Sequence, residues 1–321
     1  MLVKTLKTNR LSAYIAFFVL AVVFFLLDII IGTKPSLASN HPVFFSVSSF
    51  FIAHSVWSTV LLFIISLLMA MGWNNALTER GVFKNVTIIP AFLFIILSSV
   101  FSLSSFWICT FILLFVMNKL MLCFQQERPY GLLFDSGFLI GFATVINPIC
   151  IFFFILTYVA IVVYSTISWR NLLVPKIGLF IPFFFTWSYG FYFDNLPALT
   201  DYYYSSIKWS PPNIKYSFPI IVWSSLLSLL FLFAINELAQ WLTMKSLRSR
   251  KAFYVFFSYS VCAFVGFFFV QDNWNYLIFF TLPFTVLTSN YFIFIEKRWW
   301  YESLFIIIMI STVYLQIVPL F

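Results

Sequence analysis

Charge is scarce in this chain: Asp, Glu, Lys and Arg make up only 9% of its 321 residues. A soluble domain carries closer to ~25% charged residues and ~45–50% apolar ones. Here 63% is apolar, and Phe alone contributes 46 residues. A soluble globular fold is excluded, and so is a disordered chain, which would be polar and charged. The short alternating segments of an outer-membrane barrel are missing as well, because the apolar runs are long and unbroken. Histidine is limited to His41 and His54. Two are too few for the iron cluster of a membrane-embedded oxygenase or desaturase, or for a zinc site needing three or four ligands. The cysteines, Cys109, Cys123, Cys150 and Cys262, form no CxxC pair. Each lies within or at the edge of an apolar run, where a free thiol packs as a small apolar side chain. A disulfide between Cys109 and Cys150, both near the outer ends of their runs, is conceivable on position alone. No cofactor and no metal set is expected, with a divalent metal left open.

What remains is an all-α, polytopic transmembrane helical bundle, a single integral membrane domain over residues 1–321 with no soluble domain. Crossing a ~30 Å hydrocarbon core takes roughly 20 helical residues. The candidate spans are Leu11–Ile31, Val43–Met71, Val86–Phe101, Phe106–Leu122, Leu132–Ile146, Ile149–Tyr164, Ile177–Tyr189, Ile214–Ile235, Ala252–Val270, Tyr276–Ile295 and Leu304–Leu320. With the N-terminus cytoplasmic, every inner loop is basic. Of the 18 Lys and Arg, only Lys34, Lys208 and Lys215 then fall outside. That is the positive-inside pattern, and it supports about 11 spans, N-terminus cytoplasmic and C-terminus outside, in a bacterial inner membrane. The net charge of +8 follows from this topology and from attraction to anionic inner-leaflet lipid, so no nucleic-acid partner is implied. Ser36-Leu37-Ala38 looks like a signal cleavage site. The preceding apolar run exceeds the ~7–15 residues of a signal core, so it reads as an uncleaved anchor.

The acidic residues divide by side. Glu79, Glu127, Glu237, Glu296 and Glu302 fall inside, among Lys and Arg, while Asp28, Asp194, Asp201 and Asp272 fall outside. Asp135 lies just within the cytoplasmic end of its span, where Arg128 or a neighbouring helix can pair with it. Asp28 stands about 26 Å of helix rise beyond Leu11. A carboxylate on an otherwise unbroken apolar helix is costly and marks a candidate functional residue. The alternative is a helix-end Asp reaching outer water. Asp272, in Gln271-Asp272-Asn273-Trp274-Asn275, suits a tight turn. His54, in a serine-rich stretch, suits a hydrogen bond between helices. The longest outer loop, about Gly190 to Asn213, carries Tyr192, Asp194, Asp201, Tyr202, Tyr203, Tyr204, Lys208 and Trp209. Its aromatics read either as an interfacial belt or as a surface that stacks on sugars and lipid headgroups.

The stretch from Phe134 to Phe185 resembles the middle of polytopic C-type (GT-C) glycosyltransferases. Gly137 and Gly141 form a GxxxG helix, Asn147-Pro148 a polar hairpin and Trp169-Arg170-Asn171 a basic loop. Asn275-Tyr276-Leu277 through Pro283 looks like their later Arg-Tyr…Pro helix, without the Arg. The whole chain also resembles an uncharacterised family of multipass inner-membrane proteins of the Bacteroidota. The GT-C resemblance implies transfer of a sugar from a polyprenyl-phosphate donor at the outer leaflet. Asp28 would act as base, Asp201 or Asp194 would assist, and Lys34, Lys208 and Lys215 would hold the lipid phosphate. The paired acidic motif of that class is missing, and every Arg lies inside. A second reading is therefore a non-catalytic, degenerate GT-C scaffold serving as subunit of an envelope complex, with membrane lipid and membrane proteins as partners. A third is a transporter or flippase, although no internal repeat and no mid-span charge beyond Asp28 and Asp135 supports it.

Overall fold

The computed structural model describes residues 11–31, 50–51, 53–83, 87–164, 167–207, 209, 217–241, 246–270, 273–294 and 298–317. Its long elements are α1 (Leu11–Ile31), α2 (Ser55–Glu79), α3 (Ile89–Ser98), α4 (Ser105–Leu122) and α5 (Tyr130–Ile146). A 3₁₀ helix (Pro148–Phe154) then runs into α6 (Ile155–Val163). There follow α7 (Trp169–Tyr192), α8 (Leu196–Ser206), α9 (Phe218–Trp241), α10 (Leu247–Phe267), α11 (Ile278–Phe294) and α12 (Arg298–Ile317). Among the described residues there is no β-strand. By length and composition, six helices among the described residues can cross a membrane: those over 56–79, 105–122, 169–192, 218–240, 274–294 and 299–317.

Of the remaining expected spans, Leu11–Ile31 is an apolar helix of 21 residues, and the others fall on helices that are shorter or more polar. Ile89–Ser98 has 10 residues, about 15 Å of rise, which is half the hydrocarbon thickness. Leu247–Phe267 opens on Arg248, Arg250 and Lys251. Among the described residues, helix length and composition therefore support six crossings and not the expected eleven. Two boundaries also move. Within the run expected over Val43–Met71 the helix Ser55–Glu79 continues well past the expected end, while residues 43–49 and 52 lie outside the described residues. The expected basic loop at Trp169-Arg170-Asn171 is the first turn of α7, capped by the Ser168 hydroxyl, which accepts from the Asn171 amide.

α11 is the centre of the bundle, packed by α3, α4, α9 and α10. Its Thr281, Thr285, Thr288, Ser289 and Asn290 are all buried. Thr281, Thr285 and Thr288 donate to carbonyls three or four residues back, which satisfies each hydroxyl within its own helix. Three further bonds tie helices together: Trp73 Nε1 to Thr285 Oγ1 (3.2 Å), Trp223 Nε1 to Thr312 Oγ1 (3.3 Å) and Gln316 Nε2 to the Ser99 carbonyl (2.8 Å).

The tightest helix pair is α5 with α7. Helix α7 buries only Asn171, Pro175, Gly178, Pro182 and Gly190, a narrow stripe that begins with steps of four and three residues. Its other faces leave Ile177, Phe180, Phe184 and Phe185 exposed. A Cβ placed on Gly141 would come within 2.6 Å of the Leu179 carbonyl oxygen. One on Gly137 would strike the Pro175 carbonyl, and one on Gly178 the Phe134 carbonyl. The expected close approach at Gly137 and Gly141 is thus realised, with Gly178 answering from the other helix. Lipid tails are as apolar as Leu, so such packing drives association where hydrophobic burial does not. Gly141→Leu should lower stability by about 1–3 kcal/mol through overpacking. Gly72→Ala, with open space around it, should be neutral or slightly stabilising. Thermal unfolding of the two variants in the same detergent checks the contrast, and equal melting temperatures would refute it.

Candidate functional site

The two ends of the bundle differ in chemistry. At the end where α5 begins, Lys119 Nζ donates to Asp135 Oδ2 at 2.7 Å. Asp135 therefore pairs across to α4 and not with Arg128. Arg80 Nε donates to Asn118 Oδ1 at 2.9 Å, and its Nη2 lies 3.8 Å from Glu79. The Arg248 guanidinium and the Lys251 amine both sit over the Phe124 ring, at 5.8 and 6.0 Å. Basic residues from α2, α4 and α10 thus gather at one end.

At the other end, among the described residues, the hydrogen bonds that Tyr202, Tyr203 and Asn147 make between elements join uncharged groups, and it is called the neutral end for that reason. The segment expected as a Tyr-rich loop is largely helix α8, which packs on α7 and on the 3₁₀ helix. Tyr202 donates to the Ile146 carbonyl (3.1 Å) and Tyr203 to the Val145 carbonyl (3.4 Å). These are carbonyls in the last turn of α5, which have no partner within the helix. Burial pushes the Tyr203 phenol up to about 12 and raises that of Tyr202 as well. Both therefore stay protonated donors at physiological pH. Asn147, expected at a hairpin, caps the 3₁₀ helix: its Oδ1 accepts from the Ile149 amide and its Nδ2 donates to Ser105 Oγ.

Two of the expected acidic residues lie on this end. Asp194 is exposed at φ +54 in the turn before α8, and Asp201 is exposed on α8 itself. They share one short, anchored segment. Asp28 belongs to α1, but its side chain lies outside the described residues, as do Lys34, Lys208, Lys215, His41 and Asp272. Among the described residues the contacts of His54 are local and not between helices: its Nδ1 lies 3.0 Å from the Phe50 carbonyl and its ring stacks on Phe50. Cys109, Cys123, Cys150 and Cys262 are buried and free. The Cys109 thiol donates to the Ala143 carbonyl at 3.6 Å. Among the described residues no group of three or more His, Cys, Asp or Glu could hold a metal.

A feature that sequence reasoning missed is a groove of about 520 Å³ between α9 and α10, floored by α11 and α3. That size lies within the ~300–1,000 Å³ of ligand pockets. Phe257, Val261 and Phe264 of α10 line it and are half exposed at the bundle surface. On α9 the wall is made by Ser224 and Ser228, four residues apart, facing Ser260 of α10. Their hydroxyls turn back onto carbonyls of their own helices. The surface they leave is therefore small and nearly apolar. Phe231 and Phe284 line the groove and stack at 5.7 Å, and Phe101 and Trp223 line it nearer the tyrosine-bearing end. The rim is tied to the neutral end by ring contacts: Trp209 stacks on Phe268 (5.6 Å), which meets Phe264 edge-on (5.2 Å). The sequence signal was the spacing of Ser224 and Ser228 opposite Ser260, which only the folded pairing of helices makes meaningful.

Replacing both capping tyrosines, Tyr202→Phe with Tyr203→Phe, should cost about 2 kcal/mol by removing two net hydrogen bonds. The loss should be constant from about pH 6 to pH 9, because both phenols remain protonated there. Unfolding measured across that range checks both the magnitude and the flat profile.

Comparison with curated proteins and with solved structures gives no match. The likeness to GT-C enzymes accordingly rests on the sequence motifs alone. Residues 41–320 match the model of a family described as a family of unknown function, DUF6427. That match covers most of the chain, which therefore belongs to this family.

Proposed function

We propose that this chain is a multipass protein of the bacterial inner membrane that holds a long-chain lipid between its helices, as a non-catalytic subunit of an envelope complex. The groove between α9 and α10 carries the reading. It is concave, nearly free of polar surface, and open on the side where Phe257, Val261 and Phe264 are exposed. In a bilayer that opening faces hydrocarbon, so the occupant it fits is an acyl or isoprenoid chain. The described carboxylates at the neutral end, Asp194 and Asp201, belong to an exposed segment and not to the groove.

The topology that goes with this reading has eleven crossings, the N-terminus cytoplasmic and the C-terminus outside. α3 supports it despite its length. The chain leaves the basic end after Arg80 and reaches Ser99 and Ser102, which bond to Gln316 and Asn275. Residues 87–104 are buried or half-buried throughout. Non-helical backbone is tolerated at membrane depth only where protein surrounds it. Single cysteines at Gln126 and Thr200, in a background with the four native cysteines replaced, should label from opposite sides of intact spheroplasts. Thr200 should be the one accessible from outside, and labelling of both from the same side would break the assignment.

Ser228→Phe, and independently Ser224→Phe, should fill the groove and reduce co-purified long-chain lipid at least about fivefold with melting temperature preserved. Mass spectrometry of the extracted lipid checks this, and unchanged lipid content in both variants would remove the lipid-holding reading. Sugar transfer from a polyprenyl-phosphate donor, on a GT-C-like scaffold, is the second reading. Its support is that Asp194 and Asp201 ride on a segment anchored through Tyr202 and Tyr203. In that reading Asp28 acts with them, and Lys34, Lys208 and Lys215 hold the phosphate. Asp194→Asn with Asp201→Asn should alter envelope glycans only if transfer is the activity, and should leave lipid co-purification intact.

A further inference from the structure

We infer that the groove takes an anionic phospholipid of the leaflet at the basic end, with its phosphate at Arg250. The inference rests on the lipid-holding reading and adds the headgroup chemistry and the leaflet.

The first support is register on α10. Arg250, Tyr254, Phe257, Val261 and Phe264 follow one another at steps of four, three, four and three residues. That spacing keeps them on one helix face. Phe257, Val261 and Phe264 line the groove, so Arg250 stands at the basic end of the same face. Tyr254, between them, is exposed and leaves the path open.

The second support is charge. Arg80 has Asn118 and Glu79, Lys119 has Asp135, and Arg248 and Lys251 lie over Phe124. Arg250 has none of these. The Nε atoms of Arg248 and Arg250 are both buried without a hydrogen-bond partner, but Arg250 alone stands on the groove-lining face, and among the described residues no carboxylate lies within ion-pair distance of it. A guanidinium with an unbonded Nε at a membrane boundary is a fit for a phosphate, which an Arg can bind through two N–H groups at once. Basic sites between helices bind lipid headgroups in this manner.

The third support is length. From Arg250 to Phe264 the helix rises about 21 Å. One leaflet, headgroup included, measures about 20–22 Å. A phospholipid with its phosphate at Arg250 therefore brings its chain ends level with Val261 and Phe264.

Native mass spectrometry of the delipidated full-length protein tests this, with phosphatidylglycerol and diacylglycerol of identical chains as probes. Wild type should favour phosphatidylglycerol by about tenfold, the worth of a charge-assisted hydrogen bond. Arg250→Gln should bring the two lipids to parity. Arg248→Gln, over Phe124 on another face of α10, should keep the preference. Equal binding in wild type, or a preference that survives Arg250→Gln, would overturn the phosphate assignment. If Ser228→Phe abolishes both lipids in either case, the groove still holds lipid and only the headgroup site falls; if it affects neither, the lipid-holding reading falls too. Inorganic phosphate alone should not raise the melting temperature, and an Arg250-dependent rise with it would point to a soluble phosphate ligand and overturn the lipid headgroup.

Discussion

Hydrocarbon offers no hydrogen-bond partner, so each backbone polar group of this chain has to be satisfied by the protein itself. Much of the architecture answers that constraint. α3 is ten residues long and buried on every side, because the non-helical stretches flanking it can exist only inside protein. The last turn of α5 leaves carbonyls at Val145 and Ile146, and the phenols of Tyr203 and Tyr202 donate to them. The Ser99 carbonyl, exposed by the end of α3, receives the Gln316 amide from α12. Even the buried hydroxyls of α11 are turned inward onto their own helix. The helix so produced can sit at the centre of the bundle despite its polar residues.

Small side chains then decide where helices touch and where they part. On α5 and α7 the glycines meet backbone directly, and adding one methyl group at Gly137, Gly141 or Gly178 would drive it into a carbonyl. On α9 the serines do the opposite. Ser224 and Ser228 face the groove, and both α9 and α10 lean on α11 instead of on each other. The same kind of spacing therefore closes one interface and opens another. The difference lies in whether a partner backbone is present to fill the space, with Phe280, Phe284 and Leu277 supplying the floor where it is not.

This explains how far the sequence could be read. The all-helical class followed from composition, since apolar runs of this length have no other stable form in a bilayer. The glycine contact was legible because GxxxG has one main structural use. Helix lengths were not: Ile89–Ser98 and Ser55–Glu79 depend on what surrounds them, and apolarity alone does not mark where the backbone leaves the helix. The stretch Leu196–Ser206 looked like a loop because its Pro and Tyr residues are weak helix formers. It is helical because α7 and the 3₁₀ helix supply a surface for it. The groove was invisible, since its walls come from segments 97–101, 223–231, 257–264 and 277–284, which no local pattern connects. Asp194 and Asp201 were legible as an outer pair in sequence, but not as passengers on one anchored segment.

The anchoring of α8 also bears on which end of the molecule meets a lipid headgroup. Aromatic and acidic residues gathered in one outer segment read naturally as a ligand surface. In the folded chain Tyr202 and Tyr203 are committed to the carbonyls of α5, and Trp209 is stacked on Phe268. Phe268 in turn meets Phe264 at the groove wall. The segment is thereby a cover at the neutral end, bracing α5 and the rim of the groove together. At the opposite end Arg250 stands on the groove-lining face of α10 with its Nε unbonded. On the proposed lipid-holding reading, the asymmetry between a capped end and a basic end where Arg250 Nε is unbonded would give the groove a direction, with polar headgroup at Arg250 and chain running toward Phe264.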